Sequence, residues 1–276
     1  MATQEAFSFV AVVVLYLTQL DETPTLRTLA RCARLETCLG VVVVDHGPVR
    51  QDEAFARVAA AFAPTPTFYQ FAPENPPLGQ AYNRAIREHL GNAAYVLVLD
   101  QDTQLPREIV EVVERAAVAE SFPTLIAPHM LAGARIASPC RLLLGWGRRW
   151  PTPLAGWQSL RKNTLINSGA WIHRRAFHEL GVWYRESLKL YGIDTDFFKR
   201  LGRQEPRFLA LPIVIAHDLS FDSASLESKA GKLDAMLAAN RVVYADDGWL
   251  ARLGVRCVNA LVRVKYSLQY RTLRFL

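Results

Sequence analysis

The sequence predicts an α/β fold with a mostly parallel central sheet that is covered by helices on both faces. Short runs of β-branched and other apolar residues recur at strand length in the first hundred residues, as in 9–17 and 41–44. Segments with apolar residues at helical spacing separate these runs. Strands that alternate with helices in this way form parallel sheets, and such sheets bind ligands at the carboxyl ends of their strands.

The first half of the chain contains four predicted strands, which are residues 9–17, 41–44, 67–71 and 95–99. Thr23 and Pro24 predict the start of the first helix, because threonine is a favoured N-cap and proline fits the first helical position. We expect this helix to run until Gly40, since glycine commonly ends helices. Apolar spacing predicts further helices over 55–62, over about 78–90 and from Pro106 onward.

The second half is less regular. Apolar runs predict strands at 125–127, 165–172 and 208–216, and helical spacing predicts helices just after Asp194 and over 226–244. The last segment carries six apolar residues on one helical face, with the arginines mostly elsewhere. These six residues are Leu250, Leu253, Cys257, Leu261, Val264 and Leu268. The chain is therefore predicted to end in a basic amphipathic helical segment.

Basic residues are concentrated in two stretches that contain no acidic residue. Residues 249–276 hold six lysines and arginines, and residues 135–175 hold eight, together with four of the six tryptophans. The rest of the chain has 18 basic and 26 acidic residues, so the net charge of +6 comes from these two stretches. Such segregation indicates anionic partners on particular faces, such as phosphate, lipid headgroups or nucleic acid.

Cysteine content and the N-terminus predict a cytoplasmic protein. The four cysteines are scattered and form no CxxC pair, which is typical of a reducing compartment. The apolar run 9–17 has no basic residue before it, and it is far shorter than the ~20 residues that span a bilayer. We therefore interpret this run as a strand rather than a signal or an anchor.

Asp100 and Asp102 directly follow the predicted strand 95–99. Residues i and i+2 of an extended chain point to the same side, so the two carboxylates form a hard-oxygen site suited to Mg²⁺ or Mn²⁺. Such an ion keeps open positions for substrate phosphates. The alternative is a strand-end turn in which the aspartates bond their own backbone.

Five ordered segments resemble glycosyltransferase family 2, especially its rhamnosyltransferase-like members. They are Val41-Val-Val-Val-Asp45-His-Gly47-Pro48, Asn75-Pro-Pro-Leu-Gly79-Gln-Ala-Tyr-Asn83, Asp100-Gln-Asp102, Asn167-Ser-Gly169-Ala and Tyr191-Gly-Ile-Asp194-Thr-Asp196-Phe. The resemblance extends over residues 9–220. The chain departs from the family pattern at His46 and Pro48, where the family usually has Asn and Ser, and at Ile193, where it usually has Glu.

The resemblance implies a GT-A fold with a Rossmann-like sheet and an inverting transfer of a sugar from a nucleotide-diphosphate donor. It implies that five residues contact or lie near the nucleotide. These residues are Asp45, Asn75, Gly79, Asn83 and Asp100. It further implies a transferase domain at 1–222, with a donor half at about 1–105 and an acceptor half at about 106–222. The basic amphipathic pattern that follows predicts a helical membrane-associating extension at 223–276.

The chemistry of transfer assigns the remaining roles. A divalent ion must neutralise the departing diphosphate, and a carboxylate must take the proton of the acceptor hydroxyl. We assign Asp102 to the metal, Asp100 to the metal or the ribose, and Asp194 to the base. An acidic helix cap at Asp194, or Asp196 as the base, are the alternatives. His217 either completes the metal shell, pairs with the diphosphate or is structural.

The acceptor side and the partners follow from the basic stretches and from the family branch. We expect acceptor contacts from Trp146, Arg148, Arg149, Trp171 and Asp196. The branch implies rhamnose from dTDP-rhamnose, with a UDP-sugar as the other donor class. A saccharide or lipid-linked saccharide in cell-surface polysaccharide or lipopolysaccharide synthesis is the expected acceptor. The C-terminal helix is expected to lie on the anionic inner face of the cell membrane, and a basic helix packed on its own domain is the alternative.

Three other functions are compatible with parts of the sequence. A nucleic-acid binder explains the basic aromatic stretches, but it needs no buried strand ending in two aspartates, so no nucleic-acid partner is expected. A nucleotidyltransferase would need a glycine-rich basic loop where this chain has Thr18-Gln-Leu-Asp21. The departures at His46 and Ile193 leave a non-catalytic scaffold open. Oligomeric state cannot be derived from the sequence.

Overall fold

The computed structural model describes residues 5–133, 135–217 and 226–275. Its strands are β1 (Phe9–Leu15), β2 (Cys38–Asp45), β3 (Thr67–Phe71), β4 (Tyr95–Asp100), β5 (Leu125–Ala132), β6 (Arg135–Ser138), β7 (Cys140–Leu143), β8 (Trp146–Arg148), β9 (Gly156–Ser159), β10 (Asn163–Thr164), β11 (Trp171–His173) and β12 (Arg207–His217). Its α-helices are α1 (Pro24–Leu29), α2 (Asp52–Phe62), α3 (Leu78–His89), α4 (Ile109–Ala119), α5 (Arg175–His178), α6 (Ile193–Gln204), α7 (Leu226–Val243) and α8 (Trp249–Tyr270).

A nine-stranded sheet in the order β3-β2-β1-β4-β11-β5-β12-β9 forms the centre of the protein, and β6 pairs with β5. The first four strands of this order run parallel, and so do β5 and β12. Strand β11 lies between the two parallel groups and is antiparallel to both. The predicted α/β fold with a mostly parallel, helix-flanked sheet is confirmed.

Both faces of the central strands are buried, which explains their uninterrupted apolar sequences. Val12 and Val98 belong to a core on one face, with side chains of α3 and α6. Val13 and Leu97 belong to a second core on the other face, with side chains of α2 and α4. Because neighbouring residues of a strand point to opposite faces, each strand supplies both cores.

The first helix is much shorter than predicted, because it ends at Leu29 rather than near Gly40. The backbone N–H of Ala33 donates to the carbonyl of Arg107 at 2.7 Å instead of continuing the helix. Arg34 then has a φ of 64°, which turns the chain toward β2. Gly40 lies within β2, so it does not end this helix.

One further expectation for the second half needs correction. Residues 165–172 were expected to form a strand, but only Trp171–His173 is extended and paired. The basic, tryptophan-rich stretch forms short strands β6 to β10, and three of them, β10-β7-β8, make a separate small sheet. The predicted helix over 226–244 is confirmed as α7. The expected domain boundary at 222/223 falls in 218–225, outside the described residues.

The helices α7 and α8 pack directly on the sheet domain. Val243 and Val255 belong to the same core as Val12. Two ion pairs reinforce this contact: Arg185 with Asp246 at 2.7 Å, and Lys199 with Asp247 at 2.7 Å. In the part of the chain that the structure describes, neither these helices nor any other combines the length and apolar character needed to cross a bilayer.

Gly192, the residue before α6, adopts a φ of 77° and faces α7 closely. A Cβ at this position would lie 3.0 Å from the Cβ of Ala239 and 3.2 Å from Val243. Gly181 also has a positive φ, of 63°, but a Cβ there would meet nothing within 4 Å. A larger residue at either glycine bears the cost of a left-handed backbone, but only a larger residue at Gly192 also clashes with α7.

We expect Gly192→Ala to destabilise the protein by about 1–3 kcal/mol more than Gly181→Ala, because both bear the left-handed cost but only the first overpacks a helix contact. Thermal unfolding of the two variants beside the parent protein measures this. The expected difference in Tm is several degrees. Equal Tm values for the two variants would show that α7 does not pack closely on the turn at Gly192.

Candidate functional site

Two predicted metal-site carboxylates and His217 meet at the carboxyl edge of the sheet. The Nδ1 atom of His217 lies 3.1 Å from an oxygen of Asp102, and its Nε2 atom lies 3.9 Å from an oxygen of Asp100. His217 is 7% exposed, whereas the two carboxylates are about one third exposed, at 35% and 34%. The histidine is thus held inside, with the carboxylates between it and solvent.

A backbone bridge explains why His217 reaches the aspartates, although β12 and β4 are not neighbours in the sheet. The N–H of Gln104 donates to the carbonyl of Ala216 at 2.8 Å, and the reverse bond measures 3.2 Å. This pair of bonds joins the loop after β4 to the end of β12. These backbone bonds therefore fix the distance between His217 and the two aspartates.

Hydroxyl groups that the sequence analysis did not single out hold this loop in place. Ser168 Oγ accepts the backbone N–H of Asp100 at 2.9 Å and lies 2.5 Å from Thr103 Oγ1. Thr103 Oγ1 is also 3.2 Å from His217 Nδ1. On the other side, Thr25 bonds the carbonyl of Asp100 and the N–H of Thr103. These bonds join residues 65 to 114 positions apart, so no local sequence pattern reveals them.

Asp194 lies in the same region as Asp100 and is part of α6 itself rather than preceding that helix. The backbone N–H of Asn167 bonds its carboxylate, and the pKa of the group is raised to about 7. Burial is the largest cause of this rise, and the negative charge of Asp100 is the second. A carboxyl group with a pKa near neutrality can accept a proton and release it under ordinary conditions.

The pKa of Asp100 is raised as well, mainly by burial. The charge of Asp102 raises it further, while His217 and a 3.4 Å hydrogen bond from the hydroxyl of Tyr82 lower it. Burial also raises the pKa of Tyr82 well above its usual value, so this hydroxyl stays protonated as a donor. Three carboxylates therefore share a partly buried site, and a bound cation would relieve their mutual repulsion.

The donor groups fit a divalent ion in part. No three His, Cys, Asp or Glu side chains among the described residues already surround a common point. The 3.9 Å gap between His217 Nε2 and Asp100 Oδ2 suits an ion with about 2.1 Å bonds on each side. Because Nδ1 of His217 faces Asp102 at 3.1 Å and Thr103 Oγ1 at 3.2 Å, Nε2 is the ring nitrogen that could bind a metal.

Asp45 lies behind two residues that line a large cavity, Gly47 and Gln51. Its carboxylate is fully buried and accepts bonds from Gly47 N at 2.7 Å, Tyr69 Oη at 2.7 Å and Gln51 Nε2 at 3.2 Å. The cavity has a volume of about 720 Å³ and is lined by residues from 17–19 and 47–57. Since Gly47 and Gln51 line it too, Asp45 shapes this cavity through them.

Asn75 lies near the same loop and adopts a φ of 47°. Its side-chain oxygen is 3.0 Å from Nδ1 of His46, so the two residues brace each other. Burial lowers the pKa of His46, which favours the neutral ring with its Nδ1–H donating to Asn75. His46, which departs from the family pattern, is thus held in place by Asn75, which matches that pattern.

Gly79 and Asn83 contact protein rather than an open site. A Cβ at Gly79 would lie 2.5 Å from the carbonyl oxygen of Arg185. Asn83 is buried, and its amide bonds the backbone of Tyr184 in both directions and the carboxylate of Glu186. Both residues fasten α3 to the segment that leads to α6, and the structure gives no support to a direct nucleotide contact by either.

Two of the expected acceptor residues are structural. Trp171 is fully buried, with its ring centroid 4.8 Å from that of Phe9, so a contact with an acceptor is ruled out. Asp196 is 1% exposed and pairs with Arg185 at 2.9 Å and with Arg200 at 2.7 Å. Its carboxylate is engaged by two arginines, which leaves Asp194 as the candidate base.

The other tryptophans of the basic stretch also pack on the protein. Trp146 contacts the cluster of Leu233, Leu237 and Phe275 in the C-terminal region. Trp150 donates to Asn163 at 2.7 Å, and Trp157 donates to Glu120 at 2.8 Å. Of these three tryptophans, Trp157 is 37% exposed and the other two are half-buried. Arg148 and Arg149 are exposed and stay available to an acceptor.

Comparison with known proteins identifies the fold. No protein-family model matches the sequence, and no curated protein is similar to it. Solved structures do match. Residues 1–349 of TarS from S. aureus align with a TM-score of 0.60 at 16% identity, covering 87% of this chain and 66% of that one, just under two thirds.

Two further solved structures support the same assignment. The mannosyltransferase PcManGT from Pyrobaculum calidifontis aligns with a TM-score of 0.59 at 15% identity, over 98% of this chain and 84% of that one. GalNAc-T7 aligns with a TM-score of 0.61 at 13% identity, over 89% of this chain and 49% of that one. These neighbours are GT-A glycosyltransferases, and the similarity shows that this chain has their fold.

We expect Asp194→Asn to stabilise the protein at neutral and alkaline pH. The folded state raises the pKa of Asp194 from 3.8 to about 7, so between these values the folded protein binds more protons than the unfolded chain. Stability therefore falls as pH rises through this window, and asparagine removes that cost. The variant's advantage in Tm should be absent near pH 4 and largest at pH 8.

Asp246→Asn serves as a control of opposite sign. The hydrogen bond from Arg185 lowers the pKa of Asp246, so its carboxylate contributes stability that is present above the unfolded pKa and lost on acidification. This control should be less stable than the parent at neutral pH. If Asp194→Asn is no more stable than the parent at pH 8, ionisation of Asp194 does not lower the stability of the folded protein, which would contradict its raised pKa.

Proposed function

We propose that this protein is an inverting glycosyltransferase that moves a sugar from a nucleotide-diphosphate donor to an acceptor hydroxyl. The observation that carries the proposal is the position of Asp194 beside Asp100, at the same sheet edge as the pair Asp102 and His217. A candidate base and a candidate metal site thus adjoin each other, as a displacement at an anomeric carbon requires.

The structural neighbours support a nucleotide-sugar donor. TarS was solved with UDP and with UDP-GlcNAc, PcManGT with GDP-Man and Mn²⁺, and GalNAc-T7 with UDP, GalNAc and Mn²⁺. In this chain the donor would extend from the cavity beside Asp45 to the acidic site at Asp100. Arg50 lines that cavity and lies over the ring of Tyr69 at 4.8 Å, where it can meet an anionic or aromatic group of the donor.

In the proposed reaction each acidic residue has a separate task. A Mg²⁺ or Mn²⁺ ion held by Asp100, Asp102 and His217 would neutralise charge on the departing diphosphate. Asp194 accepts the proton of the acceptor hydroxyl, and its raised pKa keeps it basic enough to do so. Tyr82 donates to Asp100 and fixes that carboxylate. With a single base, the acceptor hydroxyl displaces the nucleoside diphosphate directly, and direct displacement inverts the anomeric carbon.

The finer assignments rest on the family branch that the sequence resembles. We propose dTDP-rhamnose as the first donor to test and a UDP-sugar as the second. The proposed acceptor is a saccharide or lipid-linked saccharide of cell-surface polysaccharide or lipopolysaccharide synthesis, with Arg148 and Arg149 as exposed contacts. The proposed place of action is the inner face of the cell membrane, where the protein would associate peripherally.

Calorimetric titration with UDP, dTDP and GDP, each with Mn²⁺ and with EDTA, tests the donor site. We expect one nucleotide to bind only with Mn²⁺, and Asp102→Ala to abolish this binding because it removes both a ligand charge and the partner of His217. Glu111→Ala, which removes an exposed carboxylate on α4, is the control and should bind normally.

Asp194→Asn should keep nucleotide binding and lose sugar transfer by at least about 100-fold, as loss of a general base predicts. Nucleotide release from the matching sugar donor measures this. If no nucleotide binds to the parent protein with or without metal, the donor site is wrong, and a non-catalytic scaffold or a nucleic-acid binder accounts better for the chain.

A further inference from the structure

Helix α8 exposes a continuous apolar stripe to solvent. Six of its large apolar side chains are between 46% and 74% exposed, and Cys257 between them is exposed as well. These six are Trp249, Leu250, Leu253, Leu261, Val264 and Leu268. Isolated exposed apolar residues are ordinary on protein surfaces, but a row along one helix marks an interaction surface.

The opposite face of α8 is the one that packs on the protein. Val255 and Asn259 are buried, and Asn259 bonds Asn240 and the carbonyl of Leu237 on α7. Val262 and Tyr266 contact the cluster of Leu233, Leu237 and Phe275. The stripe is therefore not needed for the contact with the domain, and the described residues leave it uncovered.

Basic residues flank the stripe on both sides. At about 100° per residue, Arg256 lies about 100° to one side of the centre of the stripe and Lys265 about 80° to the other. Both are exposed. No acidic residue occurs anywhere in 249–276. A partner that covers the stripe must therefore be apolar at its centre and anionic at its margins.

This combination fits a lipid surface better than a second copy of the helix. Leu250 and Leu268 are 18 residues apart, about five turns, so the stripe is straight along the helix as contact with a flat surface requires. A coiled-coil seam repeats every seven residues and pairs opposite charges at its margins. In a symmetric helix pair the basic flanks would instead face basic flanks.

We propose that α8 lies in the plane of an anionic membrane, with its apolar stripe in the boundary between headgroups and acyl chains and with Arg256 and Lys265 among the anionic headgroups. The docking surface itself does not depend on the enzymatic activity. It deepens the proposed function in one respect, and this step rests on that function: an enzyme docked in this way takes a lipid-linked acceptor from the same surface.

The position of α7 and α8 relates the membrane surface to the proposed base. Ala239 and Val243 of α7 pack on the turn at Gly192, two residues before Asp194. Arg185 and Lys199 pair with Asp246 and Asp247 in the connection between α7 and α8. Docking through α8 therefore sets α6 at a fixed position relative to the lipid surface.

Sedimentation of the full chain with lipid vesicles tests the proposal. The vesicles contain phosphatidylcholine alone or phosphatidylcholine mixed with phosphatidylglycerol. We expect binding to the anionic vesicles that is at least tenfold stronger than to the neutral ones. The triple variant Leu250→Gln, Leu261→Gln and Leu268→Gln should lose this binding at least tenfold, and Arg256→Gln with Lys265→Gln should weaken it and reduce its salt dependence.

A matched triple variant is the control, with Leu39→Gln, Val118→Gln and Leu190→Gln, because these three side chains are also exposed but lie outside α8. This control should bind vesicles like the parent. Unfolding temperature and metal-dependent nucleotide binding should be unchanged in both triple variants, so a failure of the donor site is distinguished from a failure of docking.

Two results would overturn the proposal. The first is that the parent protein does not bind anionic vesicles, or that the α8 triple variant binds them as strongly as the parent. The second is a concentration-dependent dimer that the α8 triple variant abolishes while vesicle binding is absent, because a second copy then covers the stripe.

Discussion

The burial of three neighbouring carboxylates, Asp100, Asp102 and Asp194, at one edge of the sheet is the constraint on which the candidate site depends. Burial is the largest cause of the raised pKa of Asp100 and of Asp194, and a neighbouring negative charge adds to it: Asp102 for Asp100, and Asp100 for Asp194. The protein tolerates this cost because neutral donors, the hydroxyl of Tyr82 and the backbone of Asn167, bond two of the carboxylates. The site is therefore suited to a cation and a proton, which are the two species that the proposed sugar transfer requires.

The surrounding fold holds these carboxylates close together against their electrostatic repulsion. Ser168 and Thr103 fix the loop after β4, and the bonds between Gln104 and Ala216 bring His217 alongside it. Around Asp194 the buried pairs of Asp196 fasten the start of α6 to the segment before it. A set of neutral and paired groups thus supports a small acidic centre, which is a common trade of stability for function.

The strands and the acidic residues at their ends could be predicted from the sequence, because β-branched runs and the aspartates that follow them are local signals. Residues whose position depends on distant contacts could not. After the short first helix Ala33 bonds Arg107 instead of a helical partner, and Trp171 is a core residue because β11 inserts between β4 and β5. Asn83 matches a family motif, yet its bonds to Tyr184 lie about a hundred residues away and give it a structural part.

Carbon-13 NMR titration of the aspartate carboxyl groups, in the parent protein and in Asp100→Asn, tests the central claim most directly. The account predicts a pKa of about 7 for Asp194 in the parent. It predicts a lower value in the variant, still above the 3.8 of a free aspartate, because the charge of Asp100 is removed while burial stays. A value near 4 in both proteins would contradict the account, since Asp194 would then be an ordinary surface carboxylate with no electrostatic link to the metal site.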